Sequence, residues 1–261
     1  MSSFPTLFLS HGSPMLAIQD SPARRFFQGL GKSIGKPKAI LVASAHWESI
    51  GAPVVSIAPQ PETIHDFGGF DEALYTIQYP APGAPDIAAH AADLLDAAGL
   101  PAQRSERRGL DHGAWIPLSL MYPDADIPVA QISVLRGATP TQHMAIGQAL
   151  AGLRDEGVLV VGSGSLTHNL RELHWHDIAA PVPPWVGEFG DWIWSKLTGG
   201  QRELLLDYRR RAPSAARNHP TEEHLLPLFV AMGAAGGGAR AERLHTSHEY
   251  GTLAMDMYAF S

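Results

Sequence analysis

The 261-residue chain contains no cysteine. Disulfides, thiolate metal sites and cysteine nucleophiles are therefore excluded. Charge is also scarce. Asp, Glu, Lys and Arg make up 17%, below the usual quarter of a globular chain, while 45% hydrophobic residues supply ample material for a core. No stretch approaches about 18 consecutive apolar residues, so no membrane span is expected. The start, Met1-Ser2-Ser3-Phe4-Pro5, lacks a basic segment leading into an apolar one and does not read as a signal peptide. A cytoplasmic location is the default. Arg104-Ser105-Glu106-Arg107-Arg108 and Arg209-Arg210-Arg211 are short and read as solvated faces. A net charge of −7 argues against nucleic acid or an anionic membrane as partner. Several catalytic motifs are missing too. Gly162-Ser163-Gly164-Ser165 has neither the Lys of a P-loop nor the Gly-x-Ser-x-Gly of a nucleophile elbow. His-Glu-x-x-His, the zincin protease signature, is absent.

What the chain does have is 13 histidines, several at the ends of apolar runs. Leu7-Phe8-Leu9-Ser10 leads into His11-Gly12-Ser13-Pro14, and residues 40–45 lead into His46-Trp47. Short apolar runs stopped by Gly and Pro read as buried strands, here 6–10, 39–45, 54–57, 128–134 and 158–162. Helical periodicity is expected over 85–98, 141–153, 185–197 and 222–232. Strands alternating with helices imply an α/β fold. We expect a single-domain α/β/α sandwich around a central mixed, largely parallel sheet, spanning residues 1–261, with the part after Pro181 packed back onto it. A histidine just past a buried strand sits where such sheets bind ligands. Imidazoles gathered there suggest Zn, Cu, Fe or Ni.

Each candidate also has a plain structural reading. His11 and His46 could merely end turns. His65 and Asp66 lie in a Gly-rich aromatic loop, 64–70, that could close over a flat ligand, or Asp66 could cap the helix region 71–75. Asp111 could cap an apolar helix with His112 in its first turn, and His112 could equally reach a substrate oxygen. His168 is one more histidine beyond a strand. His224 falls in the first turn of a helix that Thr221 would cap, and is either core or site. His174, His176, His219, His245 and His248 read as surface or secondary. Trp47, Phe67, Phe70 and Trp115 could sandwich an aromatic ring or serve as core.

These segments, in this order, resemble a known family: Leu9–Pro14, Ser44–Trp47, His65–Phe70, Tyr79-Pro80-Ala81-Pro82-Gly83, Leu110–Trp115, Ser163–Leu170 and Pro220–His224. The chain is similar to class III extradiol ring-cleavage dioxygenases, the LigB-like superfamily, in their DOPA-type branch. The resemblance implies a metal at the sheet edge, Fe(2+) for catalysis, with Zn(2+) able to take its place in purified protein. It implies His11, His46 and His224 as ligands and His168 as a base or fourth ligand. His112 would be a catalytic histidine on the substrate side, and His65, Asp66, Phe67, Trp47 and Trp115 would line the substrate site. The partners implied are a small catechol and O2. Whether copies associate into a homo-oligomer stays open. Many relatives use two His and one carboxylate, and Glu222 and Glu223 flank His224, so the ligand set stays open too. A zinc-dependent amidase or esterase, or a non-catalytic metal-binding interaction protein, remain the alternatives.

Overall fold

The computed structural model describes residues 3–261; Met1 and Ser2, on which part of the leader reading falls, lie outside the described residues. The strands are β1 (Thr6–Ser10), β2 (Ala39–Ser49), β3 (Val54–Ser56), β4 (Gln103–Ser105), β5 (Val129–Leu135), β6 (Val158–Gly164), β7 (Ala241–His245), β8 (His248–Glu249), β9 (Leu253–Ala254) and β10 (Met257–Phe260). Eight of them form one sheet in the order β4-β3-β5-β2-β6-β1-β10-β7, and β8 and β9 pair separately. The central pairings β5–β2, β2–β6 and β6–β1 are parallel, while β10 and β7 run antiparallel at one edge. The sheet is thus mixed and parallel at its centre, as the sequence pattern implies.

Apolar runs without alternation make strands buried on both faces, and that is what β1, β2 and β6 are. Leu7 and Leu9 of β1, with Ile40 and Val42 of β2, enter a core with Phe27 and Trp115. Leu41 and Ala43 point the other way, into a core with Leu95 and Val230. Helices Pro22–Ile34 and His112–Met121 cover the first face; Pro85–Ala97, Pro140–Ala149 and Leu226–Ala235 cover the second. Among the described residues, no helix is long and apolar enough to cross a membrane.

Some boundaries differ from expectation. Strand β2 runs on to Ser49, so His46 lies within it, beside a register shift between Ser44 and Glu48. The bulge re-aims the strand there. The helix expected from Glu222 starts at Leu226. Pro227 lacks an N–H and belongs in a first turn, so His224 sits in the approach to the helix. Thr221 does not cap it; its hydroxyl meets Glu223 instead.

Candidate metal centre and substrate cavity

Parallel strands deliver their carboxyl ends to one edge, and the histidines arrive there with them. His11 follows β1 directly, its N–H bonded to the carbonyl of Gly164 at the end of β6 (2.9 Å). His46 rides on the bulge of β2. His224 is brought in from the far end of the chain by its carbonyl, which accepts from Ser165 N–H (2.9 Å). Gly164 makes that approach feasible, because a Cβ there would lie 2.0 Å from the His224 carbonyl oxygen. Gly113 does the same on the opposite side, its missing Cβ leaving room for the His46 and His11 rings.

The three imidazoles meet through Nε2. His11 and His46 Nε2 are 3.0 Å apart, and His46 and His224 Nε2 are 3.2 Å apart. Each ring's other nitrogen is already engaged. Ser163 gives its hydroxyl proton to Gly113 O, so its oxygen accepts from His11 Nδ1–H (3.0 Å). His224 Nδ1–H donates to Glu223 Oε1 (2.9 Å), and His46 Nδ1–H faces Asp66 Oδ2 (3.4 Å). The tautomers assigned from this network place three bare Nε2 lone pairs on one point. Burial pushes His11 and His224 well below the ordinary imidazole range, and neighbouring imidazoles push them further. Burial, and then His112, hold His46 down to about 4. Three neutral imidazoles turning lone pairs on one another repel unless a cation lies between them. Metal–nitrogen bonds of about 2.0–2.1 Å at right angles separate their nitrogens by about 3 Å, so the donor set fits a divalent transition metal. Imidazoles held through the second nitrogen by a carboxylate or hydroxyl are the usual supports of such an ion.

The flanking carboxylates do other work. Glu222 accepts from Tyr208 OH (2.8 Å), and Glu223 holds the far side of His224. Asp66 does not cap helix Glu72–Thr76; Asp71 does, accepting from Ala73 N–H. Asp66 Oδ1 instead accepts from both the backbone N–H (2.9 Å) and Nδ1–H (3.0 Å) of His112. Burial alone would raise the Asp66 carboxyl, but the bonds from His112 outweigh it and hold it at about 2. One ionised carboxylate thereby braces His46 and His112 together. Asp111 is the expected cap of helix His112–Met121 and does more. Fully buried, it also accepts from Ser44 Oγ (2.6 Å), Gln131 Nε2 (2.7 Å) and Arg108 Nη2 (2.6 Å), and Arg108 reaches on to the His46 carbonyl (3.2 Å).

Beside the triad lies a cavity of about 340 Å3, lined by His112 and His168 together with Phe67, Phe70 and Trp175. His168 stacks flat on His224, ring centroids 3.4 Å apart. Burial first, then His219 and the other imidazoles, hold it down to about 3. Among the described residues, nothing hydrogen-bonds its ring.

Not every expected substrate contact lies in this cavity. Trp115 is fully buried, and its indole N–H binds the Ile64 carbonyl (3.0 Å), so it anchors the 64–70 loop from behind. His65 is tied to the Ile77 carbonyl through Nε2 (3.0 Å). Trp47 lines a second, polar cavity of about 420 Å3 that also reaches His46 and His224, with the Arg108 guanidinium over its ring. His219, read from the sequence as surface or secondary, is fully buried, with Nε2 on the Leu166 carbonyl (2.8 Å). Sequence reasoning missed Trp175 and Leu170, exposed apolar residues at the cavity wall. An isolated Trp between histidines in a polar stretch was the available signal.

The fold and three imidazoles meeting beside a cavity with aromatic residues in its wall define a candidate metal site at the edge of an α/β sheet. The family model described as the catalytic LigB subunit of aromatic ring-opening dioxygenase matches residues 5–260, and the chain belongs to that family. It is similar to proteins named 4,5-DOPA dioxygenase extradiol. The one from Beta vulgaris is 46% identical over 98% of this chain and 96% of that one. The one from Escherichia coli K12 is 43% identical over 89% and 86%. A crystal structure titled as an uncharacterized protein from Escherichia coli K12 superposes with a TM-score of 0.81 at 34% identity, covering 99% of this chain and all of the other.

Proposed function

We propose that this protein opens the ring of a DOPA-like catechol beside its two hydroxyls, using O2, at an iron(II) ion held by His11, His46 and His224. Zinc(II) suits the same nitrogens and would occupy them in protein purified without iron. The observation that carries the reading is the convergence of three bare Nε2 atoms next to an aromatic-walled cavity. The ligands run from His11 to His224 along the chain yet meet beside adjacent strands of one sheet, so we take residues 1–261 as a single catalytic domain.

When bound, the ion supplies Lewis acidity and a common template for diol and O2. The chain supplies the rest. Phe67 and Phe70 offer apolar ring faces to the catechol and keep water from the imidazoles. His168, with neither nitrogen engaged by the protein, takes a hydroxyl proton as the diol enters and returns it as the ring opens. His112 has its Nδ1–H fixed on Asp66, so its Nε2 presents a second lone pair to the substrate. It donates a hydrogen bond only after taking up a proton itself.

The test is anaerobic loading with iron(II), then DOPA and plain catechols in air. The expected result is uptake of one O2 per ring and a yellow product heavier than substrate by two oxygen atoms. Ester or amide hydrolysis by the zinc form, with no O2 uptake on any diol, would refute the reading.

A further inference from the structure

The substrate cavity does not end at its aromatic wall. Phe70, Leu170 and Trp175 line both the inner cavity of about 340 Å3 and an outer groove of about 910 Å3. The imidazoles lie in the inner cavity, so a catechol bound there points its ring substituent toward the groove. The groove wall has a consistent chemistry. Aromatic faces come from Phe70, Trp175 and Tyr250, with Trp175 5.9 Å from Phe70 and 5.6 Å from Tyr250 between ring centroids.

Two carboxylates, Asp71 and Asp177, stand on the same wall. Each spends one oxygen on a backbone N–H, Asp71 on Ala73 (2.9 Å) and Asp177 on Ala179 (3.0 Å). The second oxygen of each has no hydrogen-bond or ion-pair partner among the described residues. His176 is the wall's one imidazole, and neither cavity is lined by a single Lys or Arg.

Aromatic faces beside free carboxylate oxygens are the recognition chemistry of an ammonium group. A substituent whose only charge is a carboxylate would meet like charge there and no Lys or Arg, which is how a site rejects a wrong ligand, whereas an amino-acid side chain such as DOPA's brings an ammonium beside its carboxylate. We propose that this groove is the subsite for a cationic substrate side chain, and that the enzyme selects catechols bearing an ammonium group over those bearing only a carboxylate. The assignment rests on the ring-cleaving reading above and adds to it which end of the substrate is recognised.

The experiment uses three catechols of similar length that differ in charge: dopamine, neutral hydroxytyrosol and anionic dihydrocaffeate. Each is measured as kcat/KM with the iron(II) enzyme and as affinity for the zinc(II)-loaded protein. Cation–π and partly screened ion-pair contributions together amount to about five- to tenfold. Dopamine is therefore expected about that far above hydroxytyrosol, with dihydrocaffeate below both. The advantage of dopamine should shrink as salt is raised toward about 1 M. It should also fall toward parity in the double variant Asp71→Asn, Asp177→Asn. Dihydrocaffeate equal to or better than dopamine overturns the subsite. So does a dopamine advantage indifferent to both salt and the double variant. If no diol is cleaved, the ring-cleaving reading fails, and the affinities for the zinc(II) protein still decide the charge preference separately.

Discussion

Asp66→Asn is the most informative single change, because one carboxylate braces two imidazoles with different tasks. Its Oδ1 accepts two bonds from His112 and its Oδ2 faces His46 Nδ1 (3.4 Å). Asparagine keeps the shape but offers one acceptor oxygen and an NH2 group. If the oxygen stays on His112, the NH2 meets His46 Nδ1–H, donor against donor. The low-energy escape is for His46 to move its proton to Nε2, the atom that must carry the lone pair for a metal. If the amide turns over, the same conflict falls on His112. Loss of such an outer support costs about 10–100-fold in metal affinity, which is about 1.4–2.7 kcal/mol. Competition with a chelator measures the affinity, and nitrogen NMR of the metal-free protein reads the His46 tautomer. Asp66→Glu should restore part of the affinity, since its charge is retained. Wild-type affinity in Asp66→Asn, with His46 still protonated at Nδ1, would refute the reasoning outright.

Three further outcomes follow from the geometry. His168→Ala should lower turnover about 100-fold or more while metal content stays near wild type; parallel loss of metal would make His168 a ligand. Gly164→Ala places a Cβ against the His224 carbonyl, so it should cost about 1–3 kcal/mol by overpacking and weaken metal binding, read as a lowered Tm and a lower metal-to-protein ratio. His219, buried and held down to about 4 from 6.5, mainly by burial, is neutral when folded and protonates when unfolded. Its contribution is present above pH 6.5 and is lost as pH falls toward 4, on the order of 3 kcal/mol in all; denaturant titrations of wild type and His219→Leu should diverge across that window, and parallel curves would count against it.

Where local pattern decided the structure, the sequence was legible. Uninterrupted apolar runs forced β1, β2 and β6 to be buried on both faces, so the sheet and its parallel centre could be read from residues 6–10, 39–45 and 158–162. The helix expected over 141–153 begins at Pro140, where Thr139 caps it through a reciprocal pair with Gln142. His11 and His46 were readable as site candidates because strand ends carry ligands in such sheets. His224 could be read only as core or site, because what brings it to the strand ends is the close approach of its carbonyl to Gly164 of β6, which leaves no periodic mark. Trp115 and His65 were misplaced for a related reason. An aromatic-rich loop has a wall side and an anchoring side, and only the backbone path decides which residue faces which. Trp115 anchors because its N–H has a carbonyl to satisfy at Ile64, whereas Phe67 and Phe70, with no polar atom to satisfy, are left to face the cavity.

The network around His46 carries this argument into the chemistry. Asp66 lies 20 residues from His46 in sequence and 46 from His112. Asp111, beneath the same strand end, binds Ser44 and Arg108, and Ser44 Oγ in turn accepts from His46 N–H (3.2 Å). His46 is therefore fixed twice, through its ring by one carboxylate and through its backbone by another. The His168 ring is fixed by neither and rests on stacking alone. A metal ligand gains from rigidity, since a displaced lone pair loses the ion, whereas a group that takes and returns a proton needs a free nitrogen and room to turn. The unequal bracing of His46 and His168 is thus a physical reason to divide binding from proton transfer between them.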